Sequence, residues 1–275
     1  MFPQLLFPRP LFEITAIPAL WDNYIWAIHD NQYAAVVDPG EAAPVLAFLD
    51  EHSLRLSAVL CTHRHADHTG GIAKLREVYN VPVYGRRHPG NPLVSRDLRE
   101  GDRIELDAFN NGAGIAFDTL ETPGHTDDHL TYLAANIKPD ISFGILFCGD
   151  VLFGAGCGRN FEGTLAQLHH SLQRLAQLPG DTRVYCAHEY TAANLRFALA
   201  CEPHNPDIRQ RIEQVTQQRA ANLPTVPSSI ALEKATNPFL RCTQPELIRT
   251  LQRHGLTDTG ELDIFTALRE WRSHF

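Results

Sequence analysis

The segment THRHADH, residues 62–68, puts His63, His65, Asp67 and His68 within six positions. Imidazole and carboxylate are the donors that zinc and its neighbours among the divalent metals favour. The apolar run SAVLC, residues 57–61, leads straight into the cluster. That places it in a loop at the carboxyl end of a strand, where α/β proteins build their sites. In extended backbone, side chains two positions apart point the same way, so His63 and His65 can grip one ion while Asp67 and His68 turn toward another. Three later residues offer donors of the same kind: His125 after Pro123 and Gly124 in ETPGHTDDH, Asp150 after Gly149 in ILFCGD, and His188 in VYCAHEY. Singly, each reads as a turn or strand-end residue. Together the five histidines and two aspartates exceed the four positions of one zinc site. Two ions sharing a carboxylate use all seven. The chemistry this implies is hydrolysis, because two metals about 3.5–4 Å apart lower the pKa of a shared water from 15.7 toward about 7.

Such a cluster needs a scaffold. Strand-length apolar stretches YIWAIHD, YAAVVDPG, LSAVLCTH and ISFGILFCGD alternate with helix-like segments at residues 41–52, 70–79 and 164–178, the last ended by Pro179 and Gly180. This alternation predicts a layered α/β core. Beyond Tyr190 candidate strands stop, and helical segments follow at 191–201, 206–221, 244–254 and 263–272. The stretch 222–237, with Pro224 and Pro227, reads as irregular. The expected division is therefore a catalytic domain over residues 1–190 and a helical domain over 191–275. His29, His52, His88, His169, His170, His204, His254 and His274 read as structural or solvated, and His129 as either a support for the metal shell or a strand start.

Composition narrows the function further. A chain of 275 residues, 44% hydrophobic and 20% charged, is an ordinary globular protein with room for a large core. Its 24 basic against 32 acidic residues give a net charge of -8, which opposes binding to a phosphate backbone, so nucleic acid is excluded as a partner while a local basic pocket for a small anion is not. The opening MFPQLLFPRPLFEITAIPAL has no basic lead and is broken by Pro3, Pro8, Pro10 and Pro18, unlike a signal peptide. No apolar run reaches the roughly 20 residues of a membrane span. The six cysteines form no CxxC pair and several lie in apolar runs, as reduced, buried thiols of a cytoplasmic protein do. Cys157, between Gly156 and Gly158, reads as part of a tight turn and not as a nucleophile.

The ordered donor set resembles the metallo-β-lactamase superfamily, whose THxHxDH motif matches Thr62, His63, His65, Asp67 and His68 without a gap, with later ligand positions at His125, Asp150 and His188. The resemblance implies an αββα sandwich with the metals in the cleft between two sheets. It implies His63, His65 and His125 on one ion, Asp67, His68 and His188 on the other, and Asp150 between them. A nearer likeness is to the glyoxalase II (hydroxyacylglutathione hydrolase) family, carried by DNYIW (22–26), VVDPG (36–40), PGHT (123–126), LFCGD (146–150), GCGR (156–159), FEGT (161–164), AHEYT (187–191) and NPFLR (237–241). It runs nearly end to end and implies that a small all-α C-terminal domain follows the sandwich.

What that likeness implies is specific. A hydroxide bridging two metal ions would attack the thioester of S-D-lactoylglutathione and release D-lactate and glutathione, the second step of methylglyoxal detoxification. Asp67 and Asp150 would be the catalytic carboxylates, with Asp67 orienting the hydroxide. The metals would be zinc, with iron or manganese as alternatives, in a monomer whose partner is the glutathione thioester. Arg159, Tyr190, Arg269 and Arg272 would grip glutathione. An arginine fork suits a carboxylate, and a spacing of three puts Arg269 and Arg272 on one helix face. Two departures stand out. Asp128 replaces a glycine common in the resembled family, altering the shape or bonding of the loop beside His125. A Lys-Lys-Asp pattern is replaced by Trp271, Arg272 and Ser273, which keeps one charge. The rival readings are a glutathione persulfide dioxygenase with mononuclear iron, which lacks the extra helices, and another hydrolase of the superfamily, which has no use for the three arginines and Tyr190.

Overall fold

The computed structural model describes residues 12–109, 114–135 and 143–275. The N-terminal stretch through residue 11 and positions 141 and 142 of the ISFGILFCGD run lie outside the described residues. The first sheet has six strands in chain order: β1 (Glu13–Ala19), β2 (Asn23–His29), β3 (Tyr33–Val37), β4 (Arg55–Leu60), β5 (Val83–Gly85) and β6 (Arg96–Asp97). Strands β1 to β3 are antiparallel neighbours and β3 to β6 are parallel. The parallel crossovers carry α1 (Ala42–Glu51) and α3 (Ile72–Tyr79), with the single turn α2 (Ala66–Thr69) just ahead of α3.

Period-two alternation sorts the side chains of this sheet. Ile25, Ala27, Ala34, Val36 and Val59 face outward and bury against Val45, Leu49, Ile72 and Leu75 of the helices. Trp26, Ile28, Ala35, Val37 and Leu60 face inward to the main core. Both faces being covered, β2 and β3 read as nearly unbroken apolar runs.

The second sheet also has six strands, in the order β14 (Ser228–Ser229), β13 (Arg183–Cys186), β10 (Ile145–Gly149), β9 (Leu130–Ala134), β8 (Ala116–Glu121) and β7 (Arg103–Glu105). A two-stranded hairpin, β11 (Leu152–Phe153) with β12 (Gly156–Cys157), follows β10. Helix α4 (Leu165–Ala176) joins β10 to the parallel β13. It starts on a full capping box between Thr164 and Gln167 and buries Leu168, Leu172 and Leu175. Each of those leucines contributes about 1.5–3 kcal/mol by burial. With helices outside both sheets, the architecture is an αββα sandwich. The two sheets are joined directly where Trp26 Nε1 donates to Cys186 O at 2.9 Å and Tyr24 N to Ala187 O at 2.7 Å.

Helices α5 (Thr191–Cys201), α6 (Pro206–Ala220), α7 (Ile230–Thr236), α8 (Pro245–Arg253) and α9 (Glu261–His274) complete the chain, with a 3₁₀ turn at Pro238–Leu240. The stretch 222–237 is less irregular than its two prolines suggest. It supplies β14, which pairs antiparallel with β13, and α7, capped by Ser229 Oγ. Strands therefore do not stop at Tyr190: the second sheet takes its edge strand from beyond it. A buried ion pair anchors this part, with Arg211 Nη2 2.6 Å from Glu233 Oε1. Glu233 Oε2 accepts from Ala155 N at 2.8 Å, and Asn237 Nδ2 donates to Gly156 O at 2.9 Å. The network thus ties α6 and α7 to the β11–β12 hairpin. Cys61, Cys148, Cys157, Cys186, Cys201 and Cys242 are all buried and unbridged. Among the described residues, no helix is long and apolar enough to cross a membrane.

Candidate metal centre and the adjoining cleft

All seven expected donors converge where the strand ends of the two sheets meet. Past β4 the chain turns so that His63 Nε2 and His125 Nε2 each lie 3.1 Å from His65 Nδ1. These three nitrogens form one group able to hold a metal ion. The outer nitrogens of two rings are engaged: Nδ1 of His63 is 3.1 Å from Thr62 Oγ1 and Nδ1 of His125 is 2.7 Å from Arg159 O. Fixing the outer nitrogen sets the tautomer and leaves the inner one free as a donor.

A second group is formed by Asp67, His68 and His188. Asp67 Oδ2 lies 3.4 Å from His68 Nε2 and 3.5 Å from His188 Nε2. Asn23 Nδ2 donates to the same oxygen at 3.1 Å. The ring of His188 is set by Asp22, whose Oδ1 is 2.8 Å from Nδ1. Asp150 stands between the groups: its Oδ2 is 3.4 Å from His125 Nε2, and its Oδ1 is 3.5 Å from His68 Nε2 and 3.3 Å from His188 Nε2.

The donors fit divalent cations. His68 Nε2 and Asp150 Oδ1 are buried with no hydrogen-bond partner, a costly state that a bound cation relieves. His68 Nδ1 is 3.0 Å from Asp38 Oδ2, close enough for an ionic contact though off the line of a hydrogen bond. The electrostatics ask for positive charge in the second group. Burial opposes the charged form of His68, but the carboxylates of Asp150 and Asp38 override it and hold the imidazole well above its ordinary range. Burial also opposes the ionised form of Asp150, yet His68 and His188 hold that carboxyl well below the usual range. In the first group the balance is reversed: burial, reinforced by His68 and His129, keeps His63 well below its ordinary value and hence neutral, as a ligand must be.

Close packing makes this convergence possible. Gly149 has φ +47°, and a Cβ there would sit 2.4 Å from Thr62 Oγ1. At Gly158 a Cβ would meet Asp150 O at 2.0 Å. His129 unites the two readings given to it. It immediately precedes β9 and is buried, with Nδ1 3.0 Å from Thr122 Oγ1 and Nε2 accepting from Asp150 N at 3.2 Å.

Beside the donors opens a cleft of about 380 Å³, whose lining includes Asp150, His125, Arg159, Tyr190, Arg269 and Arg272. Tyr190 stacks on the ring of His188 with centroids 4.8 Å apart. Arg269 is buried, its guanidinium 5.2 Å from the centre of the Phe239 ring, and Arg272 Nη2 is 3.3 Å from Asn194 Oδ1. Burial lowers the pKa of Arg272, and the like charges of Arg269, Arg159 and Arg196 lower it further. Among the described residues, no carboxylate forms an ion pair with Arg159, Arg269 or Arg272, so the cleft carries surplus positive charge. Cys157 also lines it, as part of strand β12 and not of a tight turn, and burial pushes its thiol up to about 11. It is no thiolate nucleophile near neutral pH.

Sequence reasoning overlooked Asp22, Asn23, Asp38, Arg64 and Glu162. Asp38 carried the signal that revealed Asp150, an aspartate closing a buried strand. Its two oxygens take Thr62 N and Thr62 Oγ1, both at 2.7 Å. Asp128, where glycine is common in the resembled family, has its Oδ1 2.6 Å from Arg64 Nη1.

Sandwich and donor set together define a metallo-β-lactamase-superfamily protein, and the model of that superfamily matches residues 20–188. The model described as "Hydroxyacylglutathione hydrolase C-terminus" matches residues 189–275. The hydroxyacylglutathione hydrolase of Nitrosomonas eutropha (strain DSM 101675 / C91 / Nm57) is 44% identical over 266 residues, which cover 96% of this chain and 100% of that relative. The chain belongs to the hydroxyacylglutathione hydrolase family. Among solved structures, ETHE1 from Myxococcus xanthus superposes with a TM-score of 0.60 at 27% identity, over 96% of this chain and 98% of its own. TTHA1623 in a di-iron-bound form does so with a TM-score of 0.56 at 25% identity, over 83% of this chain and 100% of its own.

Proposed function

We propose that the chain hydrolyses the thioester of S-D-lactoylglutathione, or a related 2-hydroxyacylglutathione, to D-lactate and glutathione. The observation that carries this reading is the cleft whose cationic side, Arg159, Arg269 and Arg272, ends on Asp150 and His125. Glutathione brings two carboxylates to such a surface, and an arginine fork binds each in plane. Residues 1–190 act as the catalytic domain and 191–275 as the helical glutathione-binding domain. The enzyme works as a cytoplasmic monomer in the removal of methylglyoxal.

His63, His65 and His125 would hold one ion, Asp67, His68 and His188 a second, and Asp150 would face both. Two divalent ions bound there, zinc in the first place and iron or manganese otherwise, would supply a hydroxide nucleophile at neutral pH and a counter-charge for the attacked carbonyl oxygen. The chain's own groups do the rest. Asp67, its Oδ2 fixed by Asn23, orients the attacking oxygen through its carboxylate. Tyr190, stacked on His188, packs against the glutathione backbone at the mouth of the donor cluster. Arg269 and Arg272, one turn apart on α9, hold the glutathione end so that the thioester carbon stays over the donors.

Two donor groups, linked through a third combination of His63, His68 and Asp150, support two ions over the mononuclear iron of a persulfide dioxygenase, which would leave Asp67 and His188 without an occupant. The di-iron form of TTHA1623 supports the same count. The decisive measurement is loss of thioester absorbance with S-D-lactoylglutathione, run beside elemental analysis. Turnover with two metal equivalents per chain is expected. A fully metallated sample without turnover would sink the reading.

A further inference from the structure

Arg64 stands between the first two histidines of THRHADH, and nothing above gives it a task. Its side chain is only 14% exposed, because its guanidinium is spent on three carboxylates. Nη1 lies 2.5 Å from Asp127 Oδ1 and 2.6 Å from Asp128 Oδ1, while Nη2 pairs with Glu162. These acids come from two other segments. Asp127 and Asp128 lie in the loop that carries His125. Glu162 follows Arg159, whose carbonyl fixes His125 Nδ1.

Glu162 has a second contact. Its Oε1 lies 3.8 Å from His65 Nε2, the nitrogen turned away from His63 and His125. At that distance the contact is longer than a hydrogen bond. It still places a carboxylate behind a candidate ligand, on the side from which hydrogen-bonded carboxylates orient metal-binding imidazoles. Asp128 is buried, and its Oδ2 has no hydrogen-bond partner, so Arg64 compensates its charge. The arginine stem leaves little slack: a Cβ at Gly90 would lie 3.1 Å from Arg64 Cδ.

We propose that Arg64 is a positioning residue for the His63–His65–His125 group, clamping together the three loops that bear or support those ligands. The proposal rests on the metal reading given above. Ligands on separate loops lose conformational freedom when they close on an ion, and a clamp that holds the loops beforehand reduces that loss. The work needs a planar fork with several donors. Lysine, a single point charge, cannot address three carboxylates in this geometry.

The test is zinc affinity, measured by chelator competition, together with the visible spectrum of the cobalt(II)-loaded protein. Arg64→Lys and Glu162→Gln are each expected to weaken one of the two zinc equivalents by about 10–100-fold and leave the other unchanged. The cobalt spectrum should change with the weakened equivalent. In an Arg64→Ala background, Asp128→Asn is expected to restore the melting temperature of the metal-free protein by removing the uncompensated charge. It should not restore zinc affinity, because Glu162 stays untethered. If Arg64→Ala does not fold, Arg64→Lys together with Glu162→Gln, which keeps the Arg64–Asp128 pair, carries the test. Parent zinc affinity and an unchanged cobalt spectrum in Arg64→Lys and Glu162→Gln would overturn the proposal, whatever happened to thermal stability. Neither readout uses the thioester. A parent chain that bound zinc but did not turn over substrate would therefore remove the substrate reading and leave this one standing.

Discussion

The donor cluster and the cationic side of the cleft face the same space but are held in different ways. The donors sit at strand ends of both sheets, and rings such as His125 and His188 have the outer nitrogen tied to a carbonyl or carboxylate. The cations sit chiefly on one helix, α9, where Arg269 rests on the Phe239 ring and Arg272 on the Phe197 ring and the Asn194 amide. One side is determined by many short polar contacts among residues far apart in the chain. The other is determined by one helix axis and the reach of flexible side chains. On the proposed function, chemistry therefore depends on the junction of the sheets, and recognition on how the helical region is docked.

Breaking the first side should have the largest effect. Asp150→Asn removes the charge that faces both donor groups, and a loss of several kcal/mol of metal-assisted stabilisation corresponds to at least about a 10³-fold fall in kcat. Loss of one metal equivalent should accompany it in elemental analysis. Retention of kcat with both metals would show that the two groups do not share Asp150.

Next in size is the link between the two sides. Glu233→Ala leaves Arg211 buried and uncompensated and frees Ala155 N, with an expected loss of about 3–5 kcal/mol in denaturant unfolding. The folded fraction should keep its metal content. A variant as stable as the parent would mean that the hairpin beneath the cleft is held by something else.

On the recognition side, Arg272→Ala should cost one charge-assisted hydrogen bond, about 1.5–3 kcal/mol or roughly a 10–100-fold rise in KM, with kcat little changed. A fall in kcat at constant KM would move Arg272 from the recognition side to the chemical one.

The smallest expected effect lies far from both. Hydrogen bonding from Arg174 holds Glu100 below its ordinary value of 4.5, against a smaller opposing effect of burial. A carboxyl depressed by folding adds stability above its unfolded pKa and loses it as pH falls through the folded value. Glu100→Gln should therefore cost less than about 1 kcal/mol of stability at neutral pH, seen as a slightly lower melting temperature. The gap from the parent should shrink below pH 4.5 and close once Glu100 is protonated in both states. A gap that grew in acid would contradict the assigned direction.

Legibility in the sequence followed the same divide. The run 62–68 is contiguous, and His125, Asp150 and His188 each close a strand-like segment, so local pattern sufficed to find them. Asp22 could not be found that way, because it meets His188 across 166 positions of chain. Arg64 and Glu162, 98 positions apart, pair only because β4 and the segment after β12 converge at the site. The edge strand β14 and helix α7 were hidden by Pro224 and Pro227, which punctuate the chain without stopping the sheet from recruiting the residues beyond them. A layered α/β core and a helical tail were readable from alternation, whereas the αββα sandwich was implied by the family resemblance. The order of strands in each sheet was not, since parallel crossovers and an edge strand drawn from past residue 190 are tertiary choices.

Asp150 and His125 also set a timetable. The ligands of the first group are all translated by position 125, and Asp150 follows 25 residues later, whereas the second group waits for His188 and for β13, the strand that delivers it. At synthesis rates of about 5–20 residues per second, the two groups become available seconds apart. Under the two-metal proposal, a metal meeting the emerging chain would find His63, His65 and His125 available before His188 completes the second group, so the order in which the two groups are completed follows the order of synthesis.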